Sequence, residues 1–417
     1  MKKSICLLGT FIICLGVMNV ANAQENGKPN FPQGVNENSL KSHDMKPSNI
    51  NNVKTEDNKN EKFMNLSDLG ISGVGAGTTF NANTFGQKIH AALKDSVTGY
   101  VLQLNQNGNG IYFLKWNWGQ TPADASQGWE FNTRMHVASV SKYITGLGMM
   151  KALKLKGISY DAKIIDYLPT SWVKGPNISQ ISFRNLFKHT SGFSTGTSSS
   201  DYVFMKNRVQ MGVGSVGGYD YENMNFGLCR ILIPIVMGYM SKDLQLTDGM
   251  WDGLSISWFK SFMQNYIFTP SGVANADFVP SVNTKNAFAY RFPHNNQDGW
   301  NSGNLASVSG GAGWRLSVVE VLKVMDHARR KGDILPASDV QYGLDNYFGI
   351  DQVISTPAGN LYNKNGSWGD GVGNTEQSVA YFFPNNMELV VFINSPIGKA
   401  KSSLRGLVKD VFLASLQ

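Results

Sequence analysis

The feature that most constrains this fold is where the strand patterns fall: they sit near the two ends of the chain, with helical patterns between. "GYVLQLNQNGNGIYFLKWNWG", residues 99–119, reads as two apolar-patterned strands around an Asn-Gly turn, a strong hairpin signal. "SVAYFFPNNMELVVFINS", residues 378–395, reads as a second hairpin turning at Pro384-Asn385-Asn386. A helix over about 84–95 precedes the first hairpin. An amphipathic helix follows the second, with Leu404, Leu407, Val408, Val411, Phe412 and Leu416 on one face. Between them, residues 139–330 read mainly as helical segments and Gly/Ser-rich loops. Strands from both ends imply one antiparallel sheet built from N- and C-terminal strands and flanked by helices. A mainly helical region is inserted, which makes the expected class α/β, of the α+β type.

This folded domain is expected over residues 81–417. Ahead of it, Lys2 and Lys3 precede an apolar run from Ile5 to Val17, and Ala21-Asn22-Ala23 supplies small residues at a cleavage point. Residues 1–23 therefore read as a secretory signal peptide, too short for a membrane span of about 20 residues. Residues 24–80 read as a polar, disordered linker ending in a Gly-rich transition, because they hold too few aliphatic side chains to offset chain entropy. The expected localisation is exported, periplasmic or secreted, with no transmembrane anchor. Cleavage after Ala23 removes Cys6 and Cys14 and leaves Cys229, in an apolar run, with no cysteine to pair with. Removing Lys2 and Lys3 lowers the basic count from 37 to 35 against 30 acids, so net charge falls from +7 to +5. Those charges are scattered, with no basic stripe among aromatics, which argues against nucleic acid as a partner.

Several chemistries are excluded by what the chain lacks. Its six histidines are dispersed without a His-x-x-x-His pair, and it has no cysteine cluster, so no metal site is expected. There is no Walker loop or strand-linked Gly-x-Gly-x-x-Gly. Ser-x-x-Lys occurs three times, at Ser139/Lys142, Ser171/Lys174 and Ser257/Lys260. Ser171 sits in a Pro-rich loop where the spacing fixes no geometry. Ser257 belongs to "SWFKSFMQNYIF", which reads as a packing helix with a solvated lysine. Ser139 opens a helix striped by Ile144, Leu147, Met150 and Leu153 and ended by Gly157. Positions i and i+3 share a helix face, so Lys142 can reach Ser139, and the helix N-terminus offers backbone N–H groups to an oxyanion. Helix capping by Ser139 is the competing reading.

Two further stretches carry matching chemistry. Tyr-x-Asn occurs once among fifteen tyrosines, at Tyr221-Glu222-Asn223. In an extended segment Tyr221 and Asn223 would face one cleft while Glu222 points away. "LYNKNGSWGDGVGN" puts Lys364-Asn365-Gly366 on a strand, where Gly366 would admit a substrate backbone and Ser367 would supply an oxyanion N–H.

The order Ser-x-x-Lys, Tyr-x-Asn, Lys-x-Gly resembles the penicillin-recognising serine hydrolases, nearest to class C β-lactamases, D,D-peptidases and related esterases. "FNTRMHVASVSKYITG" is similar to the family's nucleophile segment, "ISFRNLFKHTSGF" to its Leu-Leu-x-His-Thr-Ser-Gly-Leu landmark, and "YENMNFGL" to its Tyr-Ser-Asn segment. The resemblance covers about residues 84–412. It implies acyl transfer by Ser139 onto an ester, amide or β-lactam carbonyl of a small-molecule or peptide-like substrate, with no cofactor. Lys142, or Tyr221 held as phenolate between Lys142 and Lys364, takes the proton. Ser139 and Ser367 form the oxyanion hole; Asn223, Lys364, Asn365 and Gly366 bind substrate; His189 and Ser191 are structural. Asn365 departs from the usual Thr or Ser, which favours uncharged acyl donors over β-lactams. An acylatable penicillin-binding sensor, or a catalytically silent binding protein of the same fold, would carry the same words.

Overall fold

The computed structural model describes residues 70–72, 79–119, 128–194, 199–281, 284–293, 296–398 and 403–417. The expected leader and most of the polar linker lie outside them. Within the Gly-rich transition, Gly70–Ser72 pairs with Thr79–Asn81, and Thr79 exchanges backbone hydrogen bonds with Gln417 at the other end of the chain.

Local turn chemistry sets the sheet. Asn107 and Gly108 both take positive φ, 50° and 78°, which matches the twist of the strands they join. They connect β1 (Tyr100–Gln106) to β2 (Asn109–Trp116). Near the C-terminus, β3 (Gln352–Thr356) and β4 (Gly359–Gly369) form a hairpin, followed by β5 (Thr375–Phe383) and β6 (Met387–Ile393). Asn385 and Asn386, again at positive φ, make the last turn. β6 pairs antiparallel with β1, Val391 opposite Leu102. The result is one six-stranded sheet in the order β2-β1-β6-β5-β4-β3, and the expected union of the two chain ends is what the structure contains.

Six helices matter to the site: α1 (Ala82–Leu93), α2 (Ser141–Lys156), α3 (Asn223–Met237), α4 (Asp248–Met263), α5 (Val318–Asp326) and α6 (Leu404–Leu413). Strand periodicity of two divides the sheet's side chains between two cores. Tyr100, Leu102, Val379, Tyr381 and Phe383 pack with α1 and α6, where Phe383 stacks on Phe412 at 4.1 Å. Val101, Ala380, Phe382, Val390 and Phe392 face the inserted helical region. A sheet buried on both faces explains why these strands read as apolar runs and not as clean alternation. α2 lies inside that region: every residue from Ser141 to Met150 is buried, Lys142 and Thr145 included. Gly157, in the left-handed conformation, ends it.

Candidate active site

Ser139 sits in a short 3-10 turn, Ala138–Val140, that runs directly into α2. Ala138, just before it, takes φ 45°, a left-handed conformation that costs an L-residue on the order of 1 kcal/mol or more. The surroundings hold it there. Val137 N–H donates to Trp314 O at 2.9 Å, and Ser378 Oγ donates to Val137 O at 2.7 Å. Gly366 of β4 lies against the same turn, where a Cβ would stand 2.6 Å from Val137 O and 2.7 Å from Ser139 N. The bare face of Gly366 thus admits the backbone of Val137 and Ser139. Ser367 follows Gly366 in β4, opposite Gln377 of β5.

Lys142 reaches back one turn, as the spacing predicts. Its Nζ is 2.9 Å from Ser139 Oγ and donates to Gly311 O at 2.7 Å. The amine is fully buried; desolvation, joined by the charge of Lys364, holds its pKa well below the usual lysine range. Tyr221 lies between the lysines, with Lys142 Nζ and Lys364 Nζ each 5.0 Å from its ring centroid. Lys364 Nζ is 3.4 Å from Tyr221 OH. Burial and then the Asp351 carboxylate push the Tyr221 phenol far above its ordinary value, against a hydrogen bond with Ser139 that favours ionisation. The Tyr-x-Asn segment is extended only as far as Glu222. Asn223 is the first residue of α3, so the periodicity changes there, and Glu222, just before it, is buried. The backbone of Asn223 packs against Gly311, whose carbonyl accepts from Lys142.

Sequence reasoning missed two members of this group, Asp351 and Arg405. Asp351, at the start of the β3–β4 hairpin, places Oδ1 2.5 Å from Lys364 Nζ and accepts the Asn365 N–H through Oδ2 at 3.1 Å. Gln352 pairs with Asn363, so the register puts Asp351 directly across from Lys364. Arg405, from the first turn of α6, donates to Asn365 Oδ1 at 3.3 Å and lies 3.8 Å from Asp351 Oδ2. The signal that could have found Asp351 is cross-strand register, which needs β3, a strand the sequence does not announce.

The other serine–lysine pairs are apart from any such cluster. Lys174 donates to the carbonyls of Pro169 and Thr170, and Lys260 pairs with Asp277 at 2.5 Å. Ser191 Oγ donates to Asn225 Oδ1 at 2.6 Å. His136, two residues before the Ala138–Val140 turn, is buried, accepting from Gly313 N–H at 3.0 Å with Nδ1 3.3 Å from Glu376; burial lowers its pKa. Among the described residues no group of three His, Cys, Asp or Glu side chains could hold a metal ion.

Residues 85–410 match the family model described as Beta-lactamase, so the chain belongs to the beta-lactamase family. It fits the penicillin-recognising serine hydrolases. The fold is similar to that of a class C beta lactamase from Rhodobacter sphaeroides, at 17% identity and TM-score 0.58 over 80% of this chain and 99% of that one. A D-amino acid amidase from Ochrobactrum anthropi SV3 is similar at 18% identity and TM-score 0.59, over 79% of this chain and 98% of that one. EstCE1, a hydrolase with promiscuous acyltransferase activity, gives 15% identity and TM-score 0.54 over 79% and 98%. No curated protein matches the chain in sequence. The family supports a hydrolase working by serine acyl transfer in general.

Proposed function

We propose that this chain is an exported serine hydrolase that cleaves an ester or amide through an acyl-enzyme on Ser139. The observation that carries the reading is the buried Lys142 Nζ, 2.9 Å from Ser139 Oγ and held toward its neutral form. A neutral amine keeps a lone pair, so it can accept the Ser139 proton as Oγ bonds to the substrate carbonyl. The phenol of Tyr221 is held neutral by burial, which makes Lys142 the base and Tyr221 the proton donor to the leaving group. Collapse of the tetrahedral species expels an alcohol or amine carrying that proton. Water, deprotonated in turn by the same set, releases the acid and restores Ser139. The N–H groups of Ser139 and Ser367 are assigned to the oxyanion, where one donor is worth ~10²–10³-fold in rate. Asn223, Lys364, Asn365 and Gly366 are assigned to substrate binding and shape. Export rests on the basic start, apolar run and small-residue triplet within residues 1–23. Among the described residues no helix is long and apolar enough to cross a membrane.

An active-site fluorophosphonate tests the reading. It should label the protein once, at Ser139, and Ser139→Ala should abolish both label and ester hydrolysis while thermal unfolding stays cooperative. Label retained by the alanine variant, or mapped to Ser171 or Ser257, would sink the assignment. Label without turnover of any ester or amide would favour the sensor.

A further inference from the structure

The cations that a substrate carboxylate would seek are already engaged by a carboxylate of the chain itself. Asp351 contacts Lys364 Nζ at 2.5 Å, the Asn365 N–H at 3.1 Å and Arg405 Nη1 at 3.8 Å. The side chains of Asp351, Lys364 and Arg405 are 8%, 2% and 10% exposed, so salt and water screen these contacts little. Asp351 is also fixed in place. Its N–H donates to Asn363 O at 2.8 Å, continuing the β3–β4 ladder. Gly349, two residues earlier, takes φ 72°, and a Cβ there would meet Lys142 O at 2.9 Å, so this loop lies directly on α2. With its backbone anchored on both sides, the carboxylate is held in place by Lys364 Nζ and the Asn365 N–H.

We propose that Asp351 determines substrate class: it fills the anion position beside Lys364 and Arg405, so the site takes esters or amides with an uncharged leaving group. This rests on the serine hydrolase reading above. Two cations and one internal carboxylate leave the cluster with a single net positive charge. A substrate carboxylate approaching Lys364 would also meet Asp351 at a few ångströms in a dry setting, where like charges repel strongly. A neutral group meets no such opposition. Asp351 acts through Lys364 and Arg405 and does not itself react. Its field reaches Tyr221 and Lys142, raising the proton affinity of both, against the lowering influence of Lys364 on Lys142 and of Arg405 on Tyr221. Tyr219 feels it as well, and the charges of the two lysines add to burial in lowering the pKa of His189.

The test compares two acetate esters of matched shape, 3-acetoxybenzoate and the neutral 3-acetoxybenzamide, on the full chain. The ratio of their kcat/KM values does not depend on how much enzyme is folded, which protects the comparison if a variant is unstable. Wild type should prefer the amide-bearing ester. Asp351→Asn should raise the benzoate-to-benzamide ratio about tenfold, the scale of one hydrogen bond to a charged group. Asp351→Glu, which keeps the charge, should hold the ratio near wild type. The acid limb of kcat/KM for the neutral ester should move to lower pH in Asp351→Asn only, since a carboxylate that raises Lys142 is gone. An unchanged ratio in Asp351→Asn, or equal rises in the Asn and Glu variants, would overturn this assignment and leave the hydrolase reading standing. A wild-type protein that hydrolyses neither ester would overturn both.

Discussion

The ring of His189 stacks on the ring of Tyr221, with centroids 4.4 Å apart and planes 27° from parallel. The Glu222 N–H donates to His189 Nδ1 at 3.1 Å, and Asn225 Nδ2 lies 3.2 Å from the same nitrogen. Nδ1 is therefore the acceptor of a neutral imidazole. Burial, then the charges of Lys142 and Lys364, hold its pKa well below the ordinary 6.5. The histidine, neutral and protonated only at Nε2, is a wall for Tyr221. His189→Ala should slow ester hydrolysis about tenfold by loosening Tyr221, short of the ~10²–10⁴-fold of a lost acid or base. The acid limb of the pH–rate profile should survive. Its disappearance in that variant would instead make His189 a proton carrier.

Lys364 acts on Lys142 at a distance, and the sign of its effect is testable. After desolvation, the Lys364 charge is the next cause that lowers the Lys142 pKa, while Asp351 raises it. In Lys364→Met the lowering charge is lost and Asp351 loses its lysine partner while keeping its own charge, so both changes raise the Lys142 pKa. The base is active only when neutral, above its pKa. The acid limb for a neutral ester should therefore move to higher pH in Lys364→Met. A limb that stays put or moves down would show that the two lysines are not coupled.

Gly366→Ala should damage both fold and rate. The added methyl would stand 2.6 Å from Val137 O, 2.7 Å from Ser139 N and 2.8 Å from Ser378 Oγ, and the first two are backbone atoms that cannot rotate away. Overpacking of this kind costs ~1–3 kcal/mol, and a 1 Å shift of the nucleophile costs roughly 10²-fold in rate. Gly214→Ala makes a control, because its Cβ would meet nothing within 4 Å. Thermal unfolding and the rate of fluorophosphonate labelling should fall in the first variant and stay near wild type in the second. Equal behaviour of the two would show that the close approach at Gly366 is not needed.

The parts of the site that were legible in the sequence are those fixed by local chemistry. Asn107-Gly108 announces its hairpin, and Ser139 with Lys142 shares a helix face whatever the tertiary fold. Pairing of β1 with β6 followed because both chain ends offered strands. Asp351 was not legible, since β3 is a short, partly exposed strand reached through a Thr-Pro-Ala turn with no Asn-Gly signal. Without β3 there is no register to set Asp351 opposite Lys364. Arg405 arrives from α6, and only the packing of that helix on β5 brings it beside Asn365. The helix start at Asn223 was not legible either, since the Tyr-x-Asn spacing reads equally as continuous strand.

Asn365 and Asp351 should act on substrate choice as one unit. Asn365 Oδ1 accepts from Arg405 while its backbone N–H donates to Asp351, so the residue is committed to the internal cluster through both ends. Asn365→Thr alone would supply a short hydroxyl suited to a carboxylate but would leave Lys364 neutralised by Asp351. The benzoate-to-benzamide ratio should then rise only two- to threefold, roughly the 0.5 kcal/mol of a hydrogen bond at the weak end of its range. In the Asp351→Asn background the same change meets a free lysine charge. There Asn365→Thr should add a further tenfold, about 1.4 kcal/mol, so that the double variant exceeds the sum of the singles by ~1 kcal/mol, as expected for residues that share partners. The measurement is a double-mutant cycle on that ratio. Additive gains would show that Asn365 reads the substrate independently of Asp351.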